Sequence, residues 1–196
     1  MRGSQRSRSR HVAVPTAPAP TPRPASAADP PRLRPPSPED AASVWQLVGG
    51  SGVLDLNSPY AYLLLCSDFS GTSVVAETSG GIVGFVGAYR PPPRPDSVFV
   101  WQIVTAPELQ GGGLGASLLE ALLDRKACRD VRFLEATVTP SNEPSRALFA
   151  GFARRRGLPL AELTAFGAEL FPSEHEEEVL VRIGPLAPPT SHSEEP

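Results

Sequence analysis

The stretch Val104-Thr105-Ala106-Pro107-Glu108-Leu109-Gln110-Gly111-Gly112-Gly113-Leu114-Gly115 joins a strand pattern to a helical one. Upstream, Val98 to Thr105 is rich in β-branched and aromatic residues; downstream, Leu114, Leu118 and Leu122 recur at helical spacing. Gly111, Gly112, Gly113 and Gly115 sit at the junction, where the backbone can approach a ligand closely and direct untaken N–H groups at it. Such a turn attracts phosphate, and the positive end of the helix dipole adds to the attraction. Glycine clusters also form plain tight turns, so the run alone decides nothing. Its spacing does exclude two other phosphate loops. It lacks the Lys-Ser/Thr ending of a nucleoside triphosphate loop and the G-x-G-x-x-G of a dinucleotide fold.

Working outward, Arg132 to Val138 is a further apolar strand, so strand, loop, helix and strand form a parallel crossover unit. Before it, Ser73 to Thr78 and Ile82 to Tyr89 flank Ser79-Gly80-Gly81 and predict a hairpin. Two helices precede the hairpin. One is expected from Ser37, an N-cap followed by Pro38 and two acids, to about Val48, with Gly49-Gly50 as its stop. The other is expected from Ser58 to Phe69. A helix from about Asn142 to Arg155 and two strands, near Pro159 to Phe166 and Glu177 to Ile183, follow the crossover. The fold class is therefore α/β in the mixed sense: one central, mostly antiparallel sheet flanked by helices.

The chain has 196 residues, 40% of them hydrophobic, which suffices for one core and not for two ordinary domains. Residues 1–36 hold nine prolines and seven arginines against the single acid Asp29, a net charge of +6, which leaves the remainder near −9. An acidic folded part argues against nucleic acid and for a small cationic partner. We expect a disordered Arg/Pro-rich extension over 1–32, a folded domain over 33–185 and a flexible tail over 186–196. No run approaches the roughly 20 apolar residues of a membrane span, and none marks a secretory start, so no membrane partner and a cytoplasmic location are expected. Cys66 and Cys128 are read as reduced, buried filler.

The order Gln110-x-x-Gly113-x-Gly115 after Val104-Thr105-Ala106-Pro107 resembles the Arg/Gln-x-x-Gly-x-Gly/Ala motif of the GCN5-related N-acetyltransferase superfamily. That resemblance implies acetyl-CoA as co-substrate, with the amides of Gln110, Gly111, Gly113 and Gly115 on the pyrophosphate. It also implies pantetheine pairing with the backbone at Ile103 and Val104, and contact with Asn142. Asn142 is equally suited to capping the following helix. Many members place a Tyr seven residues after this Asn to protonate the leaving thiolate; Phe149 stands there in this chain and has no proton to donate.

Four further strings resemble the L-2,4-diaminobutyrate Nγ-acetyltransferases of ectoine synthesis: Leu54-Asp55-Leu56-Asn57-Ser58-Pro59-Tyr60-Ala61-Tyr62-Leu63-Leu64-Leu65-Cys66, Val100-Trp101-Gln102, Leu134 to Asn142, and His175-Glu176-Glu177-Glu178. The implied reaction is acetyl transfer to the γ-amine of diaminobutyrate. A doubly cationic acceptor calls for acids, and Asp55 and Glu178 are suitable; Asp55 alternatively caps the helix after it. Tyr60 is a further candidate for the acceptor site, although Tyr60 and Tyr62 both suit core packing. Trp101 is either core or a wall of the amine pocket. The resemblance places His175 and Glu178 at the acceptor site, where either is a candidate base; imidazole takes up and releases protons near neutrality. The plainer reading of the Glu174 to Glu178 cluster is a solvated acidic turn, and of Arg182 a surface ion pair. No metal is expected, because the chemistry needs none. The fold is compatible with a homodimer. Alternative functions are acetylation of another small amine and acetyl-CoA sensing without turnover.

Overall fold

The structure, a computed structural model, describes residues 30–52, 54–172 and 174–186. The extension expected over 1–32 lies outside it except for its last three residues, and the tail expected over 186–196 except for Leu186. Those last residues are not structureless. Arg32 opens a short strand, β1 (Arg32–Arg34), that pairs antiparallel with β2 (Val74–Thr78). Arg34 anchors it, donating to Glu77 at 2.8 Å and clasping both carboxylate oxygens of Asp40 at 2.7 and 2.8 Å. Composition predicts disorder here because it does not register this three-residue ladder or the ion cluster holding it.

The remaining strands are β3 (Gly81–Tyr89), β4 (Ser97–Thr105), β5 (Phe133–Val138), β6 (Leu160–Phe166) and β7 (Glu178–Ile183). The sheet has seven strands in the order β1-β2-β3-β4-β5-β7-β6 and is antiparallel except between β4 and β5. Among the described residues the α-helices are α1 (Ala41–Ser51), α2 (Pro59–Cys66), α3 (Leu114–Leu123) and α4 (Glu143–Arg156). α1 runs through Gly49-Gly50, where a stop was expected, and ends at Gly52, which takes the left-handed conformation at φ +65°. α2 ends at Cys66 rather than Phe69. Its N-cap is Ser58, whose hydroxyl accepts from the Ala61 N–H, so Asp55 is not the cap of this helix.

Two clusters sandwich the sheet. α1 and α2 cover one face through Val44, Val48, Tyr62 and Leu65 against Val75, Phe85 and Val104. α3 and α4 cover the other through Leu118, Leu119, Leu122, Phe149 and Phe152 against Val86, Val98, Val100, Leu134 and Val181. The N-cap of α3 is Gly113, which has no side chain to cap with. A missing cap costs about 1 kcal/mol, whereas each buried leucine contributes about 1.5–3 kcal/mol, so packing holds α3 and its first amides stay open.

β4 carries a bulge. Gly87 pairs with Gln102 and Ala88 with Val100, so Trp101 is the extra residue. The alternation of faces changes phase there: Val98 and Val100 face α3 and α4, and beyond the bulge Ile103 does so while Val104 faces α1 and α2. The parallel pairing of β4 with β5 also stops at Val100 and Ala136, although both strands continue. A wedge opens between them.

Candidate active site

A cleft of about 470 Å³ lies at this wedge and is lined by Ile103, Val104 and Thr105 of β4, by Gln110, Gly111, Gly113 and Gly115 of the loop, and by Asn142. All seven residues expected at the cofactor thus share one cavity. The loop is shaped by two glycines in the left-handed region, Gly111 at φ +75° and Gly113 at φ +87°. The first helical hydrogen bond of α3 runs from the Ser117 N–H to the Gly113 carbonyl, so the amides of Leu114, Gly115 and Ala116 have no helical acceptor. This array suits the pyrophosphate of a nucleotide cofactor, while the strand edge freed at the wedge suits an extended amide-bearing arm. Gly115 serves a different need: a β-carbon there would sit 3.2 Å from Leu148, so its smallness lets α4 approach. Asn142 caps α4, its Oδ1 accepting from the Ser145 N–H at 3.1 Å, and lines the cleft as well. Phe149 packs in the core below and is not among the lining residues.

A second cavity, about 480 Å³, opens on the preceding segment of the same strand, lined by Phe99 and Trp101 of β4, Thr137 of β5, Glu178 of β7, and Phe69, Tyr89, Phe166 and Phe171. Its walls are mostly aromatic; Tyr89 sits between Phe69, met edge-on, and Phe99, met at a tilt, with ring centroids 6.2 and 5.4 Å away. Beside it three acceptors converge. His175 Nε2 lies 3.8 Å from Asp55 Oδ2 and 3.9 Å from Glu178 Oε1. The imidazole stacks on Phe171 at 4.0 Å, and its Nδ1 donates to the Glu176 carbonyl at 2.6 Å, which leaves Nε2 as the face turned to the carboxylates. Three converging acceptors match the three N–H donors of an alkylammonium.

Asp55, His175 and Glu178 therefore meet, as expected from the acceptor assignment, and Trp101 walls the cavity while remaining partly exposed. Tyr60 does not join them: it is 66% exposed and lines neither cavity. Its neighbour Tyr62 is the buried one. Glu176 leaves the acidic turn for a tethering role, accepting from the Ser141 N–H at 3.1 Å and from the Ser141 hydroxyl, so the His175 loop is tied to the turn before Asn142. Arg182 pairs with a buried partner, Glu135, at 3.4 Å, and lies 3.8 Å over the Phe133 ring. Glu135 is also held by Arg94 at 2.9 Å and by the Ser97 hydroxyl at 3.1 Å. Burial pushes the Cys66 thiol up to about 12 and the Cys128 thiol up to about 11, which removes both as nucleophiles at neutral pH.

Phe99, Thr137, Phe166 and Phe171 escaped sequence reasoning. The period-two pairing of Phe99 with Trp101 is a signal for the first; Phe171 lies in a loop and gives none. Among the described residues no group of three or more His, Cys, Asp or Glu could hold a metal ion, and no helix is long and apolar enough to cross a membrane.

Comparison with known proteins places these features in a family. Residues 42–152 match the model of the acetyltransferase (GNAT) family. The chain is 51% identical over 155 residues to an L-2,4-diaminobutyric acid acetyltransferase of Nocardia farcinica, covering 79% of this chain and 80% of that one. It is 48% identical over 152 residues to the enzyme of that name from Marinococcus halophilus, covering 77% and 88%. A solved diaminobutyrate acetyltransferase of Paenibacillus lautus, in complex with L-2,4-diaminobutyric acid and coenzyme A, superposes with a TM-score of 0.76 at 44% identity, covering 79% of this chain and 95% of that one.

Proposed function

The chain belongs to the acetyltransferase (GNAT) family and, within it, to the L-2,4-diaminobutyric acid acetyltransferases, and we propose on that premise how its two cavities divide the reaction. The protein transfers acetyl from acetyl-CoA to the γ-amine of L-2,4-diaminobutyrate, the step before cyclisation to ectoine. The cleft at Ile103–Thr105 and Gln110–Gly115 holds acetyl-CoA, which supplies a thioester carbonyl open to attack. The cavity beside Trp101 takes the diamine. One observation carries this division: adjacent segments of a single strand line both cavities, so donor and acceptor meet at the wedge without a shuttle residue.

Asp55 and Glu178 bind the cationic amines, and His175 Nε2, freed by the Nδ1 bond to the Glu176 carbonyl, takes a proton from the γ-ammonium. The neutral amine attacks directly, with β4 amides at the wedge polarising the carbonyl. No hydroxyl occupies position 149, so the thiolate departs without a tyrosine acid; a thiol is acidic enough for that route. The acetyltransferase unit is residues 33–185 together with the β1 ladder, working in the cytoplasm. A homodimer completes the reading: β6 is an edge strand, and Leu163, Phe166 and Leu170 on or beside it are exposed apolar residues that a second copy would cover.

The test is thiol release from acetyl-CoA with diaminobutyrate, ornithine, lysine and putrescine as acceptors, with the acetylated nitrogen identified by NMR. Turnover greatest with diaminobutyrate and acetyl on the γ-nitrogen is expected. Acetyl-CoA binding without release for any acceptor would make the domain a sensor instead.

A further inference from the structure

The lining of the acetyl-CoA cleft carries one charged residue, Arg155, in the last turn of α4. Its side chain folds back along the helix. Nη1 lies 3.7 Å from where a β-carbon at Gly151 would stand, one turn earlier, so the absence of a side chain at 151 gives the guanidinium its berth. Favourable interaction with the helix C-terminus explains a cation in this turn, and Arg154 and Arg156 share that explanation. It does not explain the direction of Arg155. Of the other arginines of α4, Arg146 pairs with Glu162 at 3.1 Å and Arg156 with Glu120, while Arg154, whose Nη2 also comes within 4.0 Å of the Gly151 position, does not line the cleft. Among the described residues Arg155 has no acidic partner, and it lines the cleft together with Gly115 and Ala116 of α3 and Leu148 of α4.

Acetyl-CoA brings two separate anionic groups to this cleft, the pyrophosphate and the 3′-phosphate on the adenosine ribose. The open amides of the glycine loop and α3 serve the first without a cation. A phosphomonoester carries a charge of about −1.5 to −2 and presents oxygens in the geometry that a guanidinium fork matches. We infer that Arg155 recognises the 3′-phosphate, and so makes the enzyme discriminate coenzyme A from dephospho-coenzyme A. This assignment rests on the cleft being the acetyl-CoA site.

Titration calorimetry of the full chain with coenzyme A and dephospho-coenzyme A, on wild type, Arg155→Ala and Arg155→Lys, tests it. Because the contact is partly solvated, the wild type should prefer coenzyme A by about threefold to tenfold. Arg155→Ala should bind coenzyme A only as well as dephospho-coenzyme A, whose affinity stays at its wild-type value, and Arg155→Lys should keep part of the preference. Equal wild-type affinities would overturn the inference. So would a loss in Arg155→Ala that is equal for both ligands, since that places the arginine on the pyrophosphate. Wild type that binds neither ligand would overturn the acetyl-CoA reading itself.

Discussion

The Tyr62 hydroxyl donates a 3.0 Å hydrogen bond to Gln102 Oε1, and the Gln102 amide donates in turn at 2.8 Å to the main-chain carbonyl of Asp55. The same hydroxyl accepts from the Asn57 N–H at 3.4 Å. Both side chains are buried, so the loop presenting Asp55 hangs from β4 next to the bulge at Trp101. In Tyr62→Phe, Gln102 Oε1 and the Asn57 N–H lose this partner at about 1–3 kcal/mol. The variant should melt a few degrees lower and show a several-fold rise in KM for diaminobutyrate, with KM for acetyl-CoA little changed. Equal rises in both constants, read by steady-state kinetics, would show a general loss of structure instead.

Asp55→Asn and Glu178→Gln keep shape and remove charge. The Asp55 side chain is 95% exposed and that of Glu178 only 21%, so water screens the first far more. KM for diaminobutyrate should rise about tenfold or more in Glu178→Gln and by about threefold in Asp55→Asn, with acetyl-CoA saturation unaffected. Kinetics across pH 6 to 10 separate the roles: a fall confined to kcat and recovered at high pH would make Glu178 the base in place of His175.

Gly113→Val places a β-branched residue at φ +87°, where the surroundings offer room but the backbone does not. The loop should relax away from its shape, and the apparent KM for acetyl-CoA should rise strongly while the thermal transition remains cooperative. Gly115→Val acts through Leu148 and should lower stability as well. Normal cofactor saturation in both folded variants would take the loop out of the site.

The Arg34 guanidinium beside Asp40 and Glu77 holds both carboxyls below their ordinary values, and the Ser37 N–H adds a 2.8 Å bond to Asp40. Lowered carboxyl values mean that the unfolded chain takes up protons first. The cluster therefore stabilises fully above about pH 4 and loses its contribution as the pH falls below that. Asp40→Asn should be less stable than wild type at pH 7, by about 1–2 kcal/mol, and the gap should narrow in denaturant melts taken toward pH 3.

Deleting residues 1–29 should leave melting temperature and kinetic constants unchanged, whereas deletion through Arg34 removes β1 and the partner of Asp40 and should lower the melting temperature. Equal loss from both truncations would assign a structural role to the arginine-rich segment.

The cleft at the glycine loop was legible because its residues follow one another: strand, glycine loop and helix start are local in sequence, and glycine spacing reports backbone shape directly. Asn142 was legible for the same reason, as the cap of the next helix. The aromatic cavity beside Trp101 was not. It draws residues from α2, β3, β4, β5, β6, β7 and two loops, and only resemblance brought Asp55, His175 and Glu178 together. Tyr60 shows the limit of that route. Helical spacing alone does not say which of Tyr60 and Tyr62 turns inward, and the buried partner Gln102 decides it. The strand at Arg32–Arg34 was missed because three residues in a proline-rich setting carry no period to read.

The extra residue at Trp101 makes β4 a strand with two phases, and function depends on the offset between them. Deleting that one residue would restore an uninterrupted alternation with Val98, Val100 and Ile103 still on one side and Val104 on the other, but it would shorten the strand between the two cavities and take away the Trp101 wall of the second. The separation of donor from acceptor is thus counted in residues along one strand rather than set by the meeting of domains. Point substitutions can retune either cavity by itself, but one residue inserted between Val100 and Ile103 without a second bulge would turn Ile103 and Val104 to the opposite sides.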